Sequence, residues 1–161
     1  MIKIRKATPK DVPALVELNI ILQDEHDQMA AKDLVLKKTI LKKKTNRETF
    51  LKKSFMKTIR SKEGILILAE DGNKAIGYIE GSIRQPKTLI KKIASIWDIF
   101  VKKEYRGMGI GSMLKDAVFK IFKEKGARYI ELNLSIINTK AHSIYKKWGF
   151  FDMDIMMMKK L

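Results

Sequence analysis

The sequence predicts a mixed α/β fold, with helices interleaved between strands. Three observations predict it. Apolar runs of strand length recur along the chain: IKIRKA, GILILAED, AIGYIEGSI, IASIWDIFV and YIELNL. Between them, apolar residues return at helical spacing. Finally, a glycine-rich stretch, YRGMGIGSML at 105–114, falls where a strand gives way to a helix. With 161 residues and 45% apolar composition, the chain has the size of one domain and enough apolar surface to build a core, so residues 1–161 are expected to form a single domain.

Each element has its own justification. IKIRKA (2–7) alternates and reads as a short strand. In the TPKD that follows, Thr8 suits a helix cap, Pro9 the first helical position, and Asp11 the positive first turn. Val12, Leu15, Val16, Leu18 and Leu22 then mark a helix over about 9–25. LVLKKTILKKK (34–44) is very basic and ambiguous. TNRETF restarts a helix, with Phe50, Leu51, Phe55 and Ile59 on one side. GILILAED (64–71) reads as a buried strand, DGNK as a hairpin turn and AIGYIEGSI (75–83) as the returning strand. Pro86 interrupts, and IASIWDIFV (93–101) is the next strand. Ile110, Met113, Leu114, Ala117, Val118, Ile121 and Phe122 form one helical face that Gly126 ends. YIELNL (129–134) is a strand, NTKAHSIYKKW (138–148) a helix, and FFDMDIMMMKK (150–160) a last strand or pair of strands.

Composition narrows the function. The absence of cysteine excludes disulfides and thiolate metal sites, and two histidines make a histidine-only metal site a poor expectation. No run approaches the ~20 apolar residues of a membrane span, and the N-terminus lacks the pattern of a signal peptide. The expected setting is therefore soluble and cytoplasmic. The net charge of +16 favours anionic company. The excess is lysine, with arginine only at Arg5, Arg47, Arg60, Arg84, Arg106 and Arg128. Few arginines and no interleaved aromatics disfavour nucleic acid, which stays as an alternative partner of the basic 37–44 and 52–62 lysines.

The glycines carry the sharpest signal. Gly107, Gly109 and Gly111 follow Arg106 and open a helix. The first amides of a helix lack intrahelical partners and carry the positive end of its dipole. Glycines let the backbone curl and let an anion approach without meeting a Cβ. This reads as a cradle for a pyrophosphate. It is neither a Walker loop nor the dinucleotide G-x-G-x-x-G. The alternative is a turn that only packs helix on strand.

At Arg106, Gly109 and Gly111 the sequence resembles the GNAT superfamily of N-acetyltransferases, whose motif is Arg/Gln-x-x-Gly-x-Gly/Ala. IELNLSIINTKAHSIYKKWGF (130–150) resembles the family's second acetyl-CoA segment, and MMMKKL its closing strand. The likeness is specific from about Ile93 onward and loose over 1–92. It implies a twisted mixed sheet of about seven strands flanked by about four helices, with parallel strands 94–101 and 129–134 splaying apart.

The resemblance also implies roles. Acetyl-CoA is the cosubstrate, with no metal. Its pantetheine arm would lie along the strand backbone at Ile99, Phe100 and Val101. Its diphosphate would sit on Arg106, Gly107, Met108, Gly109, Ile110, Gly111 and Ser112. Asn138 would hydrogen-bond the cofactor, and Lys102, Lys103, Lys140 or Lys146 would reach the 3′-phosphate. Tyr145 matches the tyrosine that protonates the leaving thiolate; its plain alternative is an aromatic packing residue.

Asp98 is the first choice of base and Glu80 the second, although some relatives carry a glutamate where this chain has Trp97. Asp24, Glu25 and Asp27 lie on what would be the acceptor side, where they would attract a cationic amine, helped by His26; a solvated helix end is the alternative. His142 is expected to face solvent or pack near the cofactor. The implied reaction moves an acetyl group to a primary amine: a protein N-terminus or lysine, a polyamine or another small amine. A non-catalytic acetyl-CoA-binding relative is the competing reading. Many relatives pair as dimers, so a homodimer is compatible with the resemblance.

Overall fold

The computed structural model describes residues 1–31, 46–86 and 91–157. The basic 34–44 segment and the last three residues of the 150–160 segment lie outside them. Contacts divide the chain into two units, Met1–Gln23 with Lys44–Asn133, and Asp24–Lys43 with Leu134–Leu161.

The first unit holds one five-stranded sheet in the order β1 (Ile2–Lys6), β2 (Gly64–Asp71), β3 (Lys74–Arg84), β4 (Lys92–Val101), β5 (Ala127–Leu132). The first four strands form an antiparallel meander, and β5 joins β4 in parallel. A parallel partner needs a crossover, and the helix α3 (Ile110–Glu124) supplies it. The helices α1 (Val12–Ala30) and α2 (Arg47–Arg60) precede β2. The sheet is thus mixed, as expected, with five strands among the described residues where about seven were expected.

Strand alternation decides what faces what. Leu66, Leu68, Tyr78 and Phe100 join Val12, Leu15, Val16, Leu18 and Leu22 of α1 and Phe55 of α2 in one buried cluster. Phe55 meets the Tyr78 ring edge-on at 5.8 Å. Along α3, Ile110, Leu114, Val118 and Phe122 recur every four residues and are all buried, and α3 packs against β2, β3 and β4. Arg5 locks the start of the chain. Its guanidinium donates to both Asp11 oxygens at 2.8 Å and to Glu70 of β2 at 2.8 Å. This fork holds the Asp11 carboxyl well below the usual carboxylate range.

The second unit contains the end of α1 and the helix α4 (Thr139–Lys147). Asn138 caps α4 by accepting the Ala141 N–H at 3.1 Å. Gly149, at φ 89°, ends it: its N–H donates to Lys146 O and the Phe150 N–H to Tyr145 O. This paired closure explains the Trp148-Gly149-Phe150 sequence, since only glycine adopts that φ without strain.

The expected last strand is not present over its described residues, 150–157. Phe151, Met153 and Ile155 do alternate with Asp152 and Asp154, but they are exposed. Alternation marks a surface suited to a sheet and does not itself supply the neighbour that makes a strand.

Candidate active site

The site is built from where β4 loses a neighbour. Its ladder with β5 runs from Lys92↔Ala127 to Ile96↔Leu132 and stops. Trp97–Val101 continue β4, paired with β3 alone among the described strands. β5 itself ends at Leu132, so from mid-strand onward β4 runs past its parallel neighbour. This segment carries Asp98, Ile99, Phe100 and Val101.

The glycine turn follows directly. Gly107 and Gly109 hold φ 82° and 78°, the left-handed region. A Cβ placed on Gly107, Gly109 or Gly111 would meet nothing within 4 Å among the described residues. The turn therefore needs glycine for its path at 107 and 109, and at none of the three for packing. Gly111 is helical and in open space, where alanine would be worth about 1 kcal/mol more to the helix. The α3 N-terminus has no side-chain cap and no acid in its first turn. Its positive end is left for something else to complement. Arg106 is turned back toward the strand: its Nε donates to Val101 O at 2.8 Å and its guanidinium lies 5.5 Å from the centre of the Phe100 ring. One of the three expected pantetheine-binding positions, Val101, thus already engages Arg106 through its carbonyl.

Asp98 meets the second-choice base across the sheet, because β3–β4 register sets Glu80 opposite Asp98 and Tyr78 opposite Phe100. A bulge follows directly after Glu80. Asp98 Oδ2 accepts from Asn19 Nδ2 at 3.0 Å and from the Tyr78 hydroxyl at 3.3 Å. Asn19 also donates to the Tyr78 oxygen at 2.8 Å. Glu80 accepts from the Thr58 hydroxyl at 2.6 Å. Glu80 is only 5% exposed, and burial, aided by the Asp98 charge, pushes its carboxyl up to about 7 despite the Thr58 hydrogen bond. The same burial raises the Tyr78 phenol, so it remains a neutral donor.

Lys102 and Lys103 lie in the first unit, where Lys102 pairs with Glu17 at 3.3 Å; the remaining expected residues lie in the second unit. Asp24, Glu25 and Asp27 are half-buried on the last turns of α1, where there is no basic residue to offset the dipole, and His26 is exposed. Tyr145 is half-buried on α4, its ring 5.6 Å from Trp148 and 5.9 Å from Phe150. His142 Nε2 meets Asp152 at 2.7 Å, and Lys146 reaches the same carboxylate at 3.1 Å. The Asn138 Oδ1 is engaged in its cap.

Sequence reading missed Asn19, Tyr78 and Thr58. The signal for Asn19 was present: it continues the apolar stripe of Val12, Leu15 and Val16 yet is polar. Thr58 likewise falls three residues beyond Phe55 on the buried side of α2.

The sequence pattern of the acetyltransferase (GNAT) family matches residues 30–150. The chain belongs to that family. Among curated proteins, this GNAT chain is 30% identical over 110 residues to an N-alpha-acetyltransferase of Sulfurisphaera tokodaii, covering 63% of this chain and 65% of that one. It is 39% identical over 84 residues to a putative [ribosomal protein bS18]-alanine N-acetyltransferase of Bacillus subtilis, covering 52% and 51%. The chain spans about half the length of the curated relatives it matches. Its fold matches a predicted acetyltransferase solved with acetyl-CoA from Clostridium acetobutylicum, with a TM-score of 0.77 and 21% identity over 99% of this chain and 96% of that one. Among the described residues, no helix is long and apolar enough to cross a membrane.

Proposed function

We propose that this GNAT chain is an acetyl-CoA-dependent N-acetyltransferase acting on a primary amine, with the α-amine at a protein or peptide N-terminus as its acceptor. The observation that carries the reading is that, among the described residues, β4 runs on without a parallel neighbour after Ile96 and leads into a glycine turn with an uncapped helix end. Backbone groups along Ile99–Val101 suit an extended amide-bearing arm. The amides from Gly107 to Ser112 suit a diphosphate, and the open space at Gly111 favours a ligand there over packing. Acetyl-CoA supplies the activated thioester. Residues 1–161 work as one acetyltransferase domain in this reading.

The chain's own residues divide the remaining work. Asp98, on that half of β4, takes a proton from the incoming amine. Tyr145 donates toward the departing sulfur, its ring braced by Trp148 and Phe150. Asp24, Glu25 and Asp27 draw the cationic acceptor, at a helix end whose dipole disfavours acids. The α-amine is preferred on two grounds. One of the curated relatives is named an N-alpha-acetyltransferase and another a putative [ribosomal protein bS18]-alanine N-acetyltransferase. A free α-amine near pKa 8 also costs only about 1.4 kcal/mol to deprotonate at pH 7, against about 4.6 kcal/mol for a lysine.

The test is thiol release from acetyl-CoA with three acceptor sets: peptides with free N-termini, lysine peptides with blocked N-termini, and polyamines. Mass spectrometry then locates the acetyl group. Acetylation of free N-termini is expected. Turnover confined to lysine peptides or polyamines would overturn the acceptor, and no turnover with any set, despite acetyl-CoA binding, would leave a cofactor-binding relative.

A further inference from the structure

The acids of the first unit do not stand as a base and a bystander. Glu80 and Asp98 are direct cross-strand partners, on the face that meets α1 and α2. Opposite residues on one face of an antiparallel pair have Cβ atoms about 5 Å apart, and like charges there repel. The surroundings treat the two acids unequally. Asp98 Oδ2 receives two hydrogen bonds, from Asn19 of α1 and Tyr78 of β3. Glu80 receives one, from Thr58 of α2, and its other cross-strand neighbour is the apolar Leu66 of β2. Among the described residues, those groups face Glu80 from the elements around it, and Asp98 is the charged one among them. Hydrogen bonds to an ionised carboxylate favour its charge, so the first proton belongs on Glu80 and the negative charge on Asp98. Asn19 adds a second observation. It is 3% exposed, its Nδ2 touches Asp98, and its Oδ1 has no hydrogen-bond partner among the described residues. A buried acceptor on the residue that holds Asp98 suits one further N–H donor.

We propose that Glu80 and Asp98 act as one proton-accepting pair for the acceptor ammonium, with Asn19 and Tyr78 as positioning residues that keep the charge on Asp98. The inference rests on the amine-acetyltransferase reading above. In the step, an ammonium group gives one proton to the pair and becomes a neutral amine. The pair passes from doubly to singly ionised, and no bond to carbon forms or breaks. Asp98 is the outward, half-buried member where the proton enters, and buried Glu80 is where it is held. A pair poised near neutral pH is better matched to this task than an ordinary aspartate.

Two measurements test it. Carbon NMR of side-chain carboxyls in the wild type should show one group of the pair titrating near 7. The apparent value belongs to the pair rather than to either residue. The pH profile of kcat/KM should rise through the same range. Glu80→Gln should move that limb downward by more than one pH unit and lower kcat/KM by about tenfold, while Asp98→Asn should cost about a hundredfold or more. Glu80→Asp should restore the limb if the variant pair still shares a proton, a rescue that a packing role would not give. Both carboxyls titrating below about 5 would overturn the pair, as would a Glu80→Gln enzyme with an unchanged limb. If the wild type itself turned over none of the amines, the function reading would fail instead, and the NMR titration would show separately whether the pair shares its proton.

Discussion

Replacing Glu80 by glutamine should stabilise the protein above neutral pH and change little at pH 4. Glu80 is buried and its carboxyl is raised from 4.5 to about 7. Each tenfold change in proton affinity is worth about 1.4 kcal/mol. The raised value means that the folded chain holds the Glu80 proton more tightly than the unfolded chain does. Stability from this group is therefore fully present below about pH 4.5 and is lost as pH rises through about 7. Above that, the ionised, buried Glu80 costs about 3 kcal/mol relative to the unfolded chain. Glutamine has nearly the same shape, keeps an acceptor for the Thr58 hydroxyl and carries no charge. The difference between variant and wild type should open between pH 4.5 and 7 and then stay level. Urea denaturation followed by tryptophan fluorescence, at unit steps across that range, measures it. A constant offset at every pH would mean that the effect is packing, and a variant less stable at pH 8 than the wild type would refute the account of a strained charge.

The other predictions touch other parts of the chain. Gly109→Val forces a β-branched residue into φ 78°; it should cost at least about 1–2 kcal/mol of stability and abolish calorimetric binding of acetyl-CoA. Tyr145→Phe keeps the ring packing against Trp148 and Phe150, so acetyl-CoA affinity should hold while kcat falls about a hundredfold. Asp11→Asn breaks the Arg5 fork and should cost about 1.5–3 kcal/mol at pH 7. Because the Asp11 carboxyl is held low, that deficit should persist through mildly acidic pH and close only in strong acid. Asn138→Ala should remove about 1 kcal/mol of α4 stability, seen as faster amide exchange in its first turn.

Local elements were legible because their signals are local. The stripe Ile110, Leu114, Val118 and Phe122 gives α3 within one residue of its start, and the turn at Gly72 gives the β2–β3 hairpin. The end of α4 was legible for the same reason, since its closure needs only Gly149 and two backbone bonds. The last segment shows where local signals stop. Phe151, Met153 and Ile155 carry a strand's alternation, yet a strand exists only where a neighbour offers its backbone, and a period of two names no neighbour.

The acid pair shows a different limit. Asp98 and Glu80 were each picked out for chemistry, but as rivals, because eighteen positions of chain separate them and nothing local says that they meet. Their meeting depends on the β3–β4 register, and a shift of one residue would turn one of them to the opposite face. Three further residues complete the network, two from other elements, Asn19 on α1 and Thr58 on α2, and one from β3 itself, Tyr78. A polar group on an otherwise apolar face costs stability unless it finds partners. Among the described residues Asn19 finds only part of its complement, with Nδ2 satisfied and Oδ1 not. The residues that break the apolar pattern therefore gather around the same two acids. A core designed only for stability would have placed leucine at 19 and valine at 58, and an apolar residue in place of Glu80. That these elements instead converge on Asp98 and Glu80, on the half of β4 that has no parallel neighbour among the described residues, is what supports the proposal that the two acids share a proton.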